Sequence, residues 1–188
     1  MSEKIGRKIK GLRELNGISL DELAERASVK KEQLEMVENE QVDPSMGMLT
    51  KITRVLGVRL GTILDGGEDS GIAVSTVADR TKTIRFSSNE ETLNEQLDYV
   101  SLAKGKTDRH MEPFIVTINP GDDKQTKLSR HEGEEFIYVL EGELSLVYGK
   151  DNFSLKAGDS VYYNSIIPHY VSAKDKPARI LAVVYVPI

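Results

Sequence analysis

The sequence contains no cysteine, so the chain can form neither disulfide bonds nor metal sites built on thiolates. It also lacks a run of about 18 apolar residues, which excludes a helix that spans a bilayer. Residues 1–17 are charged and amphipathic, without the continuous apolar segment and small-residue cleavage site of a signal peptide. We therefore expect a cytoplasmic protein with no membrane partner.

A basic surplus is absent as well. The formal net charge is −5, with 25 basic and 30 acidic residues. Residues 1–66 are balanced at 11 basic and 11 acidic side chains, and residues 67–188 are acidic, with 14 and 19. Net charge therefore does not indicate a nucleic-acid partner, which must be argued from where the basic residues lie.

The first 65 residues have the apolar spacing of amphipathic helices. Ser19 and Glu22 form a capping box, and Gly57 closes a later helix. These signals predict a five-helix bundle over residues 1–65, with helices near 5–15, 20–27, 31–39, 46–56 and 60–64.

A polar, glycine-rich stretch follows, which we interpret as a linker over residues 66–82. From residue 83 onward the apolar period becomes two, which is typical of strands. Many short strands separated by turns indicate an all-β sandwich or barrel over residues 83–188. The predicted strands cover residues 83–86, 97–102, 113–119, 136–140, 144–148, 153–155, 160–163, 169–172 and 179–185. The fold class is thus a two-domain α + β chain.

Two short helices joined by a tight turn, at 20–27 and 31–39, are typical of a helix-turn-helix. Such a motif needs a small residue in its first helix and apolar residues in the turn and second helix. Ala24, Val29, Leu34 and Val37 meet that need in order. Over residues 5–65 the sequence resembles the Cro/C1-type (XRE-like) helix-turn-helix family.

The resemblance implies that residues 31–39 form a recognition helix in the DNA major groove. The implied DNA-binding residues are Lys30, Lys31, Glu32, Gln33, Met36 and Asn39. It also implies a structural ion pair between Arg13 and Glu38. Ser28 and Glu40 stand where the family often has glycine, and the helix carries several carboxylates that repel phosphates. The alternative is a helical domain that kept this fold and lost DNA binding.

Two further motifs lie in the β region, at residues 129–142 and 158–173. His131 and Glu135 are four residues apart, so on a strand they share a face, and a Gly-Asp turn at Gly158 precedes His169. These motifs resemble those of the cupin superfamily, whose fold is a double-stranded β-helix (jelly-roll) barrel. The resemblance implies one divalent metal, Zn, Ni, Mn or Fe, held by His131, Glu135 and His169, with Ser129 replacing the usual first histidine. The alternative is a metal-free hydrogen-bonding cluster.

The two resemblances together imply a DNA-binding transcriptional regulator, with repression as the expected role, whose cupin domain senses a small-molecule effector. We expect the effector pocket to include Ser129, Tyr138 and Tyr163, with Arg109, Arg130 or the histidines as candidates to meet an anionic group. The expected partners are double-stranded operator DNA and a second copy of the chain in a homodimer. No catalytic residue is predicted. The alternatives are a metal-dependent cupin enzyme with a helical head for localisation or dimerisation, and a protein-interaction adaptor.

Overall fold

A computed structural model describes residues 5–65, 71–79, 84–87, 96–106, 109–120 and 128–187. Within these residues the helices come first and the strands follow. The five α-helices are α1 (Ile5–Leu15), α2 (Leu20–Ala27), α3 (Lys31–Glu38), α4 (Met46–Leu56) and α5 (Leu60–Leu64). The predicted helices are confirmed. Residues 66–70 and 80–82 of the predicted linker, and both ends of the predicted β domain, lie outside the described residues; Val77–Asp79 forms a short 3-10 helix.

Local capping explains where the helices begin and end. The Ser19 hydroxyl accepts a hydrogen bond from the Glu22 amide at 3.1 Å, and the Ser45 hydroxyl accepts one from the Met48 amide at 3.1 Å. Gly57 ends α4 with a φ of 66°. Ser28 ends α2 in the same left-handed region, with a φ of 52°, which costs a residue with a Cβ about 1 kcal/mol.

The helices share one apolar core, to which every helix contributes. Gly6 allows α1 to approach α3 closely, because a Cβ there would lie 2.0 Å from the backbone oxygen of Val37. The predicted ion pair is confirmed: Arg13 donates to both carboxylate oxygens of Glu38 at 2.7 Å. Glu38 is buried, so this bidentate pair fixes α1 against the end of α3.

Strands of the second domain form two antiparallel sheets. A six-stranded sheet has the order β1-β2-β3-β9-β4-β7, and a three-stranded sheet has the order β6-β5-β8. The strands are β1 (Ile84–Ser87), β2 (Gln96–Ser101), β3 (Met111–Ile118), β4 (Glu134–Glu141), β5 (Glu143–Tyr148), β6 (Asp151–Lys156), β7 (Ser160–Asn164), β8 (His169–Ala173) and β9 (Ala178–Tyr185).

Alternation along the strands sets which side chains face inward. In β3 the buried residues include Phe114, Val116 and Ile118, with half-buried residues between them. The β4–β5 hairpin turns at Gly142, whose φ of 83° favours glycine. A Cβ there would also lie 3.0 Å from the Cα of Ala178, so the turn needs glycine for space as well.

The helical domain contacts the β domain through a buried ionic cluster of Asp65, Arg109 and Glu112. Asp65 follows α5, and its carboxylate pairs with Arg109 and accepts from the Gly105 amide at 3.2 Å. Arg109 Nε also donates to Glu112 at 2.7 Å. The three side chains are at most 5% exposed, so this cluster joins the two domains away from solvent.

Candidate functional site

The predicted recognition helix, α3, presents its first turn to solvent. Lys30, Lys31 and Glu32 are exposed, and Gln33 is half-buried. Farther along, Met36 is half-buried, and Asn39 is exposed just after the helix ends. The predicted DNA-binding residues thus lie along α3 from its N-cap to its C-cap and are exposed or half-buried, while Leu34 and Val37 pack inward.

Ion pairing changes the charge of this surface. Glu38 is neutralised by Arg13, and Glu40 pairs with Arg7 at 3.1 Å, so neither repels phosphate as an isolated carboxylate would. Lys31 pairs with Asp21 at the start of α2, with 2.6 Å between Nζ and Oδ1. The pairing of Glu38 and Glu40 makes the surface less acidic than the residue types alone indicate.

Two histidines and a glutamate converge inside the β domain. The Nε2 atoms of His131 and His169 lie 3.0 and 3.3 Å from Oε1 of Glu135, and the candidate ligand atoms all lie within 4.8 Å of one another. Glu135 sits in β4, while His131 precedes β4 and His169 begins β8. The predicted ligand set is thus brought together by both sheets.

Backbone oxygens fix how each ring is oriented. Nδ1 of His131 lies 3.0 Å from the oxygen of Glu132, and Nδ1 of His169 lies 2.9 Å from that of Ile167. A carbonyl only accepts, so each Nδ1 carries a proton. Each Nε2 then faces a carboxylate, a second acceptor. A ring protonated at Nδ1 offers the lone pair of Nε2 to a cation, so this arrangement suits a metal bound between the rings and the carboxylate.

Electrostatics keep the carboxylate ionised. Burial raises the pKa of Glu135, but the hydrogen bonds from His131 and His169 outweigh burial, so its pKa lies well below the usual range. Burial lowers the pKa of His131, but the hydrogen bond and the negative charge of Glu135, together with the Glu132 carbonyl, outweigh that effect, and the pKa is raised. An ionised carboxylate beside two imidazoles fits the donor set preferred by first-row divalent metals.

Further hydrogen bonds hold Glu135 in place. The Tyr163 hydroxyl donates to Oε2 at 2.9 Å, and the Ser165 hydroxyl donates to Oε1 at 3.0 Å. Ser165 is fully buried and was not predicted as a site residue. Its position after β7, which pairs with the glutamate's strand, is the only sequence signal that could have indicated it.

A small cavity of about 60 Å³ surrounds this group. Ser129 and Tyr163 line it, as expected for the pocket, but Tyr138 does not. Tyr138 is 38% exposed, because it alternates with the buried Ile137 and Val139 and so faces outward. Including Tyr138 in the pocket was wrong for that reason.

Met46, from the helical domain, also lines the cavity. The next residue, Gly47, packs so closely on the β domain that a Cβ there would lie 3.3 Å from the Ser129 hydroxyl and 3.6 Å from Cδ2 of His131. A glycine in the first turn of a helix was the signal for this close approach.

Arg109 and Arg130, the arginines among the candidates to meet an anionic group, have different surroundings. Arg109 is buried in the ionic cluster with Asp65 and Glu112, so two carboxylates already occupy its guanidinium. The expectation for Arg109 was wrong. Arg130 is exposed and lines an open cleft between the two domains.

Comparison with known families identifies both parts of the chain. The Helix-turn-helix family matches residues 9–63, and the Cupin domain family matches residues 114–184. A solved structure of an HTH_3 family transcriptional regulator from Vibrio cholerae has the same fold, with a TM-score of 0.67 and 24% identity over 98% of this chain and 96% of that one.

Two curated proteins are similar along most of the chain. The HTH-type transcriptional regulator PuuR of Escherichia coli is 25% identical over 89% of this chain and 86% of its own. The (S)-2-hydroxypropylphosphonic acid epoxidase of Streptomyces wedmorensis is 29% identical over 74% of this chain and 73% of its own. The same two-part organisation therefore occurs in a regulator and in an enzyme. None of the described helices is long and apolar enough to cross a membrane.

Proposed function

This chain belongs to the XRE-like helix-turn-helix transcriptional regulators with a C-terminal cupin domain, and from that premise we propose that it represses transcription in response to a small molecule. The observation that carries the proposal is the exposed first turn of α3, where Lys30, Lys31 and Gln33 lie together, while Glu38 and Glu40 at the other end of the helix are paired with arginines. Such a surface suits the major groove, where lysine donates to guanine and glutamine pairs with adenine.

In the proposed complex, residues at the start of α3 contact base edges, while Lys30 and the amides near Asn39 contact phosphates. One helix-turn-helix reads one half-site, so a homodimer is needed for a two-fold operator. Phosphate contacts release counterions, and the affinity therefore falls steeply with salt. The setting for such a protein is the cytoplasm.

The β domain is proposed as the sensor. Its two sheets would close into the double-stranded β-helix barrel of cupins, over residues 83–188, with residues 66–82 as the linker. His131, Glu135 and His169 would hold one divalent ion, Zn, Ni, Mn or Fe. In both rings Nε2 faces the Glu135 carboxylate, and a cation between these atoms would accept electron pairs from all three side chains.

A metal-dependent enzyme is the second candidate function. Two histidines and one carboxylate form the donor set typical of non-haem iron sites, and a chain similar to this one over most of its length is an epoxidase. We nevertheless favour the regulator because, apart from these ligands, the described cavity is lined only by hydroxyl-bearing and apolar side chains, without a further histidine, carboxylate or lysine to transfer protons.

The proposal is tested by fluorescence anisotropy on duplex DNA from upstream of the protein's own gene, against a scrambled duplex, across a salt series. We expect tight, salt-dependent binding to the first duplex, and about tenfold weaker binding for Lys31→Ala. Lys176→Ala removes the same charge from the β8–β9 turn and should have no effect. No preference at low salt would refute DNA recognition, and metal-dependent turnover would then support the enzyme.

A further inference from the structure

The cavity around the His131–Glu135–His169 group is too small for an organic effector. Its volume of about 60 Å³ suits an ion with a few waters. Pockets that enclose small organic ligands measure roughly 300–1,000 Å³. Met46 occupies part of the wall, so the inner cavity as it stands does not admit an effector.

A much larger space lies between the two domains. This interdomain cleft, of about 860 Å³, is open to solvent. One wall comes from the end of α2 and the middle of α4, and the other from residues 130–132 and Ile166 of the β domain. An organic molecule of metabolite size fits this volume, and it would contact both domains at once.

The charge of the cleft favours anionic ligands. Its lining residues include the cations Arg26, Lys51, Arg54 and Arg130 and a single carboxylate, Glu132, which pairs with Arg54. This concentration of positive charge contrasts with the net charge of −5 for the chain. Several cations around a concave surface raise the local concentration of anions and favour carboxylate or phosphate groups.

The cleft also adjoins the candidate metal group. His131 lines both the cleft and the inner cavity, so this residue lies in the wall between them. A molecule held by Lys51 and Arg130 would therefore lie against a candidate metal ligand on one side and against α4 on the other.

We propose that the interdomain cleft is the effector site and that it binds a small organic anion bearing carboxylate or phosphate groups through Lys51, Arg54 and Arg130. The role of this site in regulation rests on the proposed function, whereas the binding of an anion to the site does not. Because the cations come from both domains, a bound anion changes how the helical domain is held, and DNA and anion affinities are coupled in both directions.

Isothermal titration of the full-length protein with succinate and with inorganic phosphate, at constant ionic strength, tests the site. The diamine 1,4-diaminobutane serves as the oppositely charged probe. We expect at least one anion to bind, with affinity reduced roughly tenfold in Lys51→Gln and in Arg130→Gln, one from each wall. Arg179→Gln is the matched control, since Arg179 pairs with Glu141 away from the cleft and should bind as the wild type does.

Absence of anion binding, or equal affinity in the two cleft variants and the control, would overturn the proposal. Binding of the diamine that depends on Arg130 would overturn it as well.

The same variants are then measured on operator DNA without and with the anion. If the wild type binds its duplex but the anion changes nothing, the cleft is not the effector site although the regulator stands. If no duplex is preferred while the anion still binds through Lys51 and Arg130, the site stands and the proposed function fails. Weaker binding of the variants to every duplex, with unchanged anion affinity, would assign the cleft to DNA phosphates and refute the inference.

Discussion

Replacing Glu112 with glutamine should flatten the pH dependence of stability between pH 6 and pH 8. Glu112 is 2% exposed in the ionic cluster with Asp65 and Arg109. Burial raises its pKa from 4.5 to about 7, an effect that the Arg109 guanidinium opposes and the Asp65 carboxylate reinforces. The raised pKa means that the folded protein binds a proton that the unfolded chain has already released.

The sign follows from this difference. Between pH 4.5 and 7 the folded state holds more protons than the unfolded state, so the free energy of unfolding decreases as pH rises. The full difference in pKa corresponds to about 3 kcal/mol, of which about 1 kcal/mol falls between pH 6 and pH 8. That narrower range keeps the protein away from its isoelectric point near 5.4.

Urea unfolding at pH 6, 7 and 8 measures the effect in the wild type and in Glu112→Gln. Glutamine imitates the protonated carboxyl. Between pH 6 and pH 8 the free energy of unfolding should therefore fall by about 1 kcal/mol less in the variant than in the wild type. His131 also has a raised pKa, and it gives both proteins the same remaining slope. Identical slopes in the two proteins would show that Glu112 does not titrate here and would refute the reasoning.

Two other predictions concern packing and the metal ligands. Gly6→Ala should destabilise the protein by about 2–3 kcal/mol in urea unfolding, because the added Cβ would lie 2.0 Å from the Val37 oxygen. A Cβ at Gly11 would have no atom within 4 Å, so Gly11→Ala should stabilise the protein by about 0.5–1 kcal/mol. Equal effects of the two substitutions would contradict the close approach of α1 to α3. His169→Ala should lower the affinity for a divalent metal about 100-fold or more, measured by metal content after dialysis, while His110→Ala, which alters a histidine outside the ligand group, should retain it. If both histidine variants retain the metal, His169 is not a ligand, and the metal-free hydrogen-bonding cluster is favoured.

The elements of the fold could be predicted because their signals are local. Ser19, Ser45 and Gly57 mark helix ends through contacts within four residues, and each observed helix matches a predicted one. Each predicted strand overlaps an observed strand, with ends within two residues, because alternation of apolar residues is itself a local property. The ligand group was predictable from the resemblance to cupins, although His131 precedes β4 and so does not share a strand with Glu135 as the spacing argument assumed.

The rest depends on contacts between residues far apart in the chain. No periodicity shows that Asp65 meets Arg109, so Arg109 was interpreted as available to an effector. The pairing of Glu40 with Arg7 likewise spans 33 residues, and the sequence alone overstated the acidity of α3. Glu40 adopts a φ of 59°, a left-handed conformation that favours glycine.

The position of α4 suggests how the two domains influence one another. Its first residue, Met46, lines the inner cavity; Lys51, in its middle, faces the interdomain cleft; and Arg54, near its end, pairs with Glu132 of the β domain. The same helix packs on α2, the first helix of the helix-turn-helix. A structural change in the inner cavity or in the interdomain cleft therefore acts directly on α4, which supports the DNA-binding motif. No long pathway of residues is required.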